Sequence, residues 1–132
     1  MITKTRIFPI ILLFILNGAI EAKNAPPLEE EQRSILTSIY EHVDERLFNE
    51  NLFNQALNSQ HINIQETALR GLGRVGGDTI KPFVKPFLYN NNAVLRRAAV
   101  FALGISGESN VNYLLWPLLE KETEETVKQE LY

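Results

Sequence analysis

The sequence contains no cysteine and only two histidines. The lack of cysteine excludes disulfide bonds, thiolate metal sites, a cysteine nucleophile and the lipid-modified cysteine of bacterial lipoproteins. His42 and His61 lie in different segments, and the chain has no His–Glu spacing that suits a metal. We therefore predict no catalytic residue, no metal site and no cofactor, and we expect that the protein is not an enzyme.

An excess of basic residues is also missing. The chain of 132 residues has 13 lysines and arginines against 16 aspartates and glutamates, which gives a net charge of −3. Proteins that bind nucleic acid need a basic face to displace counterions from the phosphates. We therefore do not expect nucleic acid as a partner.

One glycine-rich stretch has the spacing of a dinucleotide-binding loop. Residues 71–76 read Gly-Leu-Gly-Arg-Val-Gly. In dinucleotide-binding folds this loop follows a strand and opens a helix, whereas here it follows a predicted helix. The stretch is therefore not expected to bind a nucleotide.

The longest apolar run is too short to cross a membrane. Lys4 and Arg6 precede an apolar stretch that begins at Ile7 and ends at Leu16, and Ala22 follows soon after. A membrane span needs about 20 residues, whereas this order of features is typical of a secretory signal peptide. We predict a signal peptide over residues 1–22 and a linker over residues 23–27, with an uncleaved membrane anchor as the alternative. The protein is then expected to be secreted or periplasmic, with no stable membrane span after signal cleavage.

From residue 28 to residue 132, apolar residues recur at helical spacing and no segment alternates as a strand does. The stretches that begin at Ile64 and Leu95 agree in apolar, small and glycine positions at an offset of 31 residues, and the segments before them agree at the same offset. We predict an all-α fold, an α-solenoid of about three antiparallel helix pairs after one capping helix over residues 28–48. The first (A) helices are predicted at 49–58, 79–89 and 110–121, and the second (B) helices at 62–74, 92–105 and 124–132.

Single residues carry further expectations about how these helices begin and end. Gly73 and Gly104 are predicted to end B helices in a left-handed turn, which glycine adopts without a Cβ clash. Asp78 and Ser109 are predicted to cap the A helices that follow. Pro86 and Pro117 lie deeper in their A helices, and both are predicted to bend them.

Two other expectations concern the contacts between repeats. Arg96 is expected to bond to a neighbouring repeat, and small residues are expected to let the helices pack closely. These small residues are Ala68, Ala98, Ala99 and Ala102. The acidic residues near the end of the chain are expected to form a solvated face; they are Glu120, Glu122, Glu124, Glu125 and Glu130.

The stretches LRRAAVFALG and IQETALRGLGRVGG resemble HEAT repeats, in particular the short phycobilin-lyase-like subtype, and the resemblance covers about residues 46–132. It implies a solenoid whose B helices line the concave surface, and a protein as the partner. A weaker resemblance, to the HEAT region of secreted bacterial cyclophilin-type isomerase proteins, rests on Tyr40, the run Asp44-Glu45-Arg46, a GLGR turn and AAVFALG. The isomerase barrel has no counterpart in this chain.

The predicted function is therefore that of a non-catalytic protein–protein interaction module, or scaffold, in an extracytoplasmic compartment. Candidate partner-binding residues combine aromatic and arginine side chains at exposed repeat positions; they are Arg70, Arg74, Arg97, Phe101 and Trp116. The alternative is the HEAT portion of a larger peptidyl-prolyl isomerase, because the third B helix stops short of the expected glycine. That helix is either an abbreviated cap or part of a truncated repeat.

Overall fold

The computed structural model describes residues 29–107 and 109–132. The predicted signal peptide and linker lie outside these residues. The described residues form seven α-helices and two 3-10 helices, and none of them lies in a strand. The predicted all-α class is therefore confirmed.

The first helix, α1 (Glu30–Asp44), is shorter at its carboxyl end than the predicted range of 28–48. Its first turn is closed by Gln32, whose side-chain oxygen accepts a hydrogen bond of 3.3 Å from the backbone N–H of Glu29. The helix ends before Arg46, which has a φ of 52°. A residue in this left-handed conformation cannot continue a right-handed helix.

Three helix pairs follow, as the repeat predicts. The first pair consists of α2 (Glu50–Leu57) and α3 (Ile62–Val75), and the third of α6 (Asn112–Lys121) and α7 (Glu125–Leu131). In the second pair, α5 (Ala93–Ile105) is preceded by an interrupted A segment. This segment is a 3-10 helix (Asp78–Ile80), a single α-helical turn α4 (Lys81–Val84) and a second 3-10 helix (Lys85–Tyr89).

Proline explains the interruption of the second A segment. Pro82 stands at the start of α4 and Pro86 at the start of the second 3-10 helix. Proline has no N–H to donate and its ring clashes with the preceding turn, so it is tolerated at a helix start and breaks a helix interior. The predicted helix over 79–89 is thus divided at Pro86, whereas Pro117 lies inside an uninterrupted α6.

The helices α1, α3, α5 and α7 pack side by side as one layer, each against the next. We call it the B-helix layer. The A segments lie beside the B-helix layer, on what we call the A side. Each pair therefore contributes one helix to the B-helix layer and one segment to the A side. The predicted capping helix, α1, therefore takes the place that a B helix would have in a preceding pair.

The helices α3 and α5 of this layer approach each other closely. The four alanines expected to permit close packing, Ala68, Ala98, Ala99 and Ala102, are fully buried. A Cβ atom built on Gly73 would stand 2.5 Å from the Cα atom of Ala102 and 2.9 Å from its carbonyl oxygen. Gly73 is therefore a packing residue, needed because two backbones meet there.

The prediction that Gly73 and Gly104 end their helices is wrong. Both lie inside helices, because α3 runs on to Val75 and α5 to Ile105. The turn after α3 is made by Gly76 and Gly77, whose φ values are 77° and 81°. The turn after α5 contains a glycine at position 107 with a φ of 74°.

The predicted N-caps are also wrong. Asp78 lies within a 3-10 helix that Gly77 precedes, and α6 begins after Val111 rather than after Ser109. In neither place does a side chain cap the helix.

Two other helices have an asparagine N-cap. The side-chain oxygen of Asn49, before α2, accepts a hydrogen bond of 3.1 Å from the Leu52 N–H, and that of Asn92, before α5, accepts one of 2.9 Å from the Val94 N–H.

Candidate functional site

Arg70 and Phe101 occupy equivalent positions of successive repeats, and the structure brings them into contact. The Arg70 guanidinium carbon lies 4.8 Å from the centre of the Phe101 ring. The Arg70 Nε atom also donates a hydrogen bond of 2.9 Å to the Glu66 carboxylate. A cation over an aromatic ring contributes about 0.5–1 kcal/mol at an exposed site. The two side chains thus form a bridge across the solvent-facing side of α3 and α5.

Arg74 lies one turn beyond Arg70 on α3 and is exposed. It makes no ion pair with any residue in the part of the chain that the structure describes. It lines a groove of about 80 Å³ between α1 and α3, which we call the α1–α3 groove. The other lining residues are Ile39, Tyr40, Val43, Thr67, Arg70 and Gly71.

Gly71 allows the two helices that form this groove to approach each other. A Cβ atom at Gly71 would stand 2.9 Å from Cγ2 of Val43 and 3.3 Å from Cγ2 of Ile39. Because these side chains are buried, they have little room to move away. The floor of the groove is therefore apolar and closely packed, and its polar atoms come from the side chains around it.

Arg97 lies one turn before Phe101 on α5. Its Nε atom donates a hydrogen bond of 3.1 Å to the carboxylate of Glu130 on α7. Residues three or four positions apart share a helix face, so Ile105, one turn beyond Phe101 and 46% exposed, joins the same surface. We call this surface the B face, defined by Tyr40, Arg70, Arg74, Arg97, Phe101 and Ile105.

Trp116 is separated from the other four candidates. It lies on α6, an A helix, and is 64% exposed, with Nε1 donating a hydrogen bond of 3.1 Å to Glu120. It flanks a groove of about 380 Å³ near the end of the chain, together with Asn112, Leu115, Leu119, Leu131 and Tyr132. The structure therefore brings Arg70, Arg74, Arg97 and Phe101 together on the B face and leaves Trp116 apart.

Arg96 joins the second and third pairs, as expected. Its Nε and Nη2 atoms donate to the two Glu122 oxygens at 2.8 and 2.9 Å, and Nη1 donates to the carbonyl oxygens of Asn90 and Asn91. This hydrogen bonding holds the pKa of Glu122 below its usual range, against the effect of burial, and raises the pKa of Arg96. Because its donors are already used within the protein, Arg96 is a structural residue.

The acidic residues near the chain end are not one solvated face. Glu122 is buried in the ion pair with Arg96, and Glu130 is paired with Arg97. The prediction is therefore wrong for these two residues. It fails because their basic partners lie in the preceding repeat, 26 and 33 residues away along the chain.

Both histidines make hydrogen bonds between neighbouring segments. Nδ1 of His42 is 2.8 Å from the carbonyl oxygen of Ser38, and its Nε2 is 3.2 Å from the side-chain nitrogen of Asn49. His61 bonds to Gln32 beside an open hollow that also contains Glu31. Over the described ranges, no three side chains of His, Asp or Glu come together as metal ligands would.

Two residues of the B face, Tyr40 and Ile105, are not among the predicted site residues. Ile105 stands 31 positions after Arg74, so the repeat offset that relates Arg70 to Phe101 could have identified it. Tyr40 stands 30 positions before Arg70, in a helix outside the recognised repeats. Only the packing of α1 against α3 places it on this surface.

The comparisons with known proteins agree with this geometry. The sequence model of a family described as HEAT repeats matches residues 49–132, which is more than half of the chain. No curated protein and no solved structure matches the chain. Within residues 29–107 and 109–132, no helix has the length and apolar character needed to span a membrane.

Proposed function

Because the chain belongs to the HEAT-repeat family, we propose that it is a non-catalytic scaffold that binds another protein through its B face. Members of such solenoid families present extended surfaces built from successive repeats. The observation that carries the proposal is the contact of Arg70 with Phe101, which joins two repeats on the solvent-facing side of the B-helix layer.

The order of the side chains on this surface supports a binding role. Arg70 is held by Glu66 and Phe101, and Arg97 is held by Glu130. Side chains that are already ordered lose less conformational entropy when a partner binds. Arginine and tyrosine are also enriched among the residues that dominate the binding energy of protein interfaces. The B face thus combines suitable residue types with a fixed geometry.

The electrostatics of the chain support a role without catalysis. A catalytic acid or base combines a shifted pKa with access to a substrate. Glu122 has a lowered pKa, but it is buried and its carboxylate bonds to Arg96.

The proposed compartment is extracytoplasmic, and the support is the composition of residues 1–22. The intact mass of the native protein tests it. A mass that begins at Lys23, in a secreted or periplasmic fraction, is expected; a mass that begins at Met1 in the cytoplasm would contradict the proposal. The isomerase alternative rests on sequence resemblance alone, and a much larger native mass with isomerase activity would favour it.

Affinity capture with the tagged full chain, after crosslinking in the source cells, tests the binding role. We expect Phe101→Ala and Arg70→Glu to lower recovery of the specifically crosslinked proteins at least 10-fold, because each removes a central side chain of the B face. Mass spectrometry identifies and quantifies the captured proteins. Circular dichroism verifies that the helices remain.

Matched controls lie on the A side of the molecule, where Tyr89 and Lys85 are exposed. Tyr89→Ala removes an exposed aromatic ring as Phe101→Ala removes a ring, and Lys85→Glu reverses a charge as Arg70→Glu does. Both controls should capture the same proteins as the wild type. Equal capture by all four folded variants would refute the B face as the binding surface.

A further inference from the structure

The groove beside Trp116 is bordered by exposed aromatic side chains. Trp116 is 64% exposed, and Tyr113, one turn before it on α6, is 58% exposed. Tyr132, on the other side of the groove, is 93% exposed. We call this groove of about 380 Å³ the end groove; it is lined by Asn112, Leu115, Trp116, Leu119, Leu131 and Tyr132. None of these lining residues is charged, so the groove suits an apolar, uncharged occupant.

The end groove continues the contact by which the helix pairs stack. Leu115, Leu119 and Leu131 are half-buried, whereas the residues 31 positions earlier, in the second pair, are buried; these are Val84, Leu88 and Val100. The third pair packs on the second through α6 and α7, and no element of the described chain packs on the third pair from the corresponding side. The groove is therefore the face on which a further helix pair would stack.

One residue of this face differs in character between the repeats. Trp116 stands 31 positions after Lys85, which is exposed on the second pair. Tryptophan is enriched among the residues that dominate the binding energy of protein interfaces. Its indole N–H already donates a hydrogen bond of 3.1 Å to Glu120, so that a partner covering the ring leaves no donor unpaired. Trp116 is thus suited to burial against an apolar surface.

The two ends of the helix array differ in charge, and this difference selects the occupant. The exposed residues of α1, at the other end, include Glu30, Arg33 and Glu41. The hollow beside α1 contains Glu31 and His61. Stacking of the end groove on that end would remove charged groups from water without partners, which is costly. The end groove of a second copy has no charged lining residue, so two copies can meet groove to groove. Contact of the same surface on both copies closes as a two-fold dimer.

The area available in the end groove is that of a weak interface. Tyr113, Trp116 and Tyr132 together expose on the order of 400 Å² per copy, because a whole aromatic side chain buries about 150–250 Å². A stable interface buries about 800 Å² per partner, and smaller contacts are typical of transient complexes. The dimer is therefore expected to dissociate reversibly.

We propose that the end groove is the contact surface of a reversible two-fold dimer, in which Trp116 of each copy packs into the end groove of the other. The lining of the groove shares no residue with the B face. Dimer formation and the binding of another protein therefore use separate residues, and either can fail without the other.

Trp116 is the only tryptophan of the chain, so its fluorescence reports on the end groove. The chain in its native form, as the intact mass defines it, is measured at concentrations from about 1 to 300 µM, which bracket the affinity of a transient interface. Sedimentation velocity is expected to show a monomer–dimer equilibrium that ends at twice the mass of one chain. The emission maximum should move to shorter wavelength in parallel, because dimer formation removes the indole from water.

Three variants complete the test, with circular dichroism to verify the helices. Trp116→Ala should weaken the dimer at least about 10-fold, because it removes the central side chain of the contact. Trp116→Lys should weaken it further, because like charges then meet across the two-fold axis. The matched control is Tyr89→Ala, which removes a ring that is 58% exposed outside the groove and should leave the dimer unchanged. All three positions are exposed, so all three variants should fold.

A protein that stays monomeric over the whole range would overturn the proposal, as would a mass that rises beyond that of a dimer. A dimer that forms without a change in emission, or that Trp116→Ala forms with wild-type affinity, would place the contact elsewhere. Emission typical of a buried indole in the monomer would show that another segment or a small molecule occupies the groove, which also contradicts a dimer there. Capture through the B face is tested separately by Phe101→Ala.

Discussion

Two glycines at equivalent positions of the repeat have different surroundings. Gly73 faces the backbone of Ala102, where a Cβ atom would be 2.5 Å from Cα, whereas no atom lies within 4 Å of a Cβ atom built on Gly104. Both glycines have helical backbone conformations, so neither is needed for a turn. Contact with another helix requires glycine at position 73, whereas nothing around position 104 requires it.

Alanine substitution should therefore have opposite effects at these two positions. Gly73→Ala is expected to lower the free energy of unfolding by about 2–3 kcal/mol, because overpacking against backbone cannot be relieved by a side-chain movement. Gly104→Ala is expected to raise it by about 0.5–1 kcal/mol, because alanine is the better helix former. Urea unfolding followed by circular dichroism measures both. A stable Gly73→Ala variant would disprove the close approach of α3 and α5.

The sequence alone predicts the same role for both glycines, and the reason for the error is physical. Their local sequences agree at the repeat offset, and glycine at a helix end is a common signal. What distinguishes them is the residue across the interface, Ala102 for Gly73 and open space for Gly104. The turns themselves use glycines a few residues later, at 76, 77 and 107.

Among the helices, one buried ion pair connects the second and third pairs. The side chains of Arg96 and Glu122 are 17% and 3% exposed. Glu122 also accepts hydrogen bonds of 3.0 and 2.9 Å from the N–H groups of Thr123 and Glu124, just before α7. The carboxylate therefore binds α5 and fixes the chain that leads into α7.

Arg96→Met is expected to destabilise the protein by about 3 kcal/mol, because it leaves a buried carboxylate without its cation. The conservative Arg97→Met serves as the control, since Arg97 is more exposed and its ion pair should contribute less than about 1 kcal/mol. Urea unfolding at pH 7 measures both variants. If both variants lowered the free energy of unfolding by the same small amount, the Arg96–Glu122 ion pair would be no stronger than a surface ion pair.

The same ion pair predicts how stability depends on pH. The pKa of Glu122 is lowered in the folded protein, so its contribution is present above the unfolded value of about 4.3 and is lost as pH falls through the folded value. The raised pKa of Arg96 adds no dependence in acid, because arginine stays charged throughout that range. The stability difference between wild type and Arg96→Met should therefore shrink as the pH falls below the unfolded value of about 4.3. A constant difference would contradict this.

The helices could be predicted where their bounds depend on the local spacing of apolar residues. The B helices lie close to their predicted ranges because apolar spacing and the repeat offset define them. The A segment around Pro86 is divided because proline opposes the helical spacing of its neighbours. The acceptor for Arg96 could not be predicted, because Glu122 belongs to the next pair and only folding brings the two together.

At the scale of the whole molecule, the described helices form a linear array in which each B helix packs mainly against its neighbours in the layer. In such arrays, stability depends on the contacts of each unit with the next. Among the described helices of the layer, α5 is packed between α3 and α7, whereas α7 packs mainly on α5. Among the described helices, α7 is therefore expected to open more readily than α5.

Native-state hydrogen exchange followed by mass spectrometry tests this expectation. Backbone amides of α5 should exchange at least about 10-fold more slowly than those of α7, because local opening is easiest where contacts are fewest. Amides of α3 serve as an internal reference, since α3 also has a neighbour on each side. Uniform protection of α3, α5 and α7 would show instead that the array opens as one cooperative unit.

The repeat offset that predicts the array of helices also predicts part of the B face. The repeat offset relates Arg70 to Phe101, and the structure places their side chains in contact. The offset does not reach α1, and so Tyr40 and the α1–α3 groove depend on tertiary packing. The isolation of Trp116 follows from its place on an A helix.

The meeting of Gly73 with Ala102 also restricts how this protein can diverge. The atoms of residue 102 that a Cβ atom at position 73 would meet, Cα and the carbonyl oxygen, belong to every amino acid. No substitution at 102 can therefore make room at 73, and glycine should be retained at 73 among descendants of a common ancestor. Position 104, which borders open space, should be free to vary.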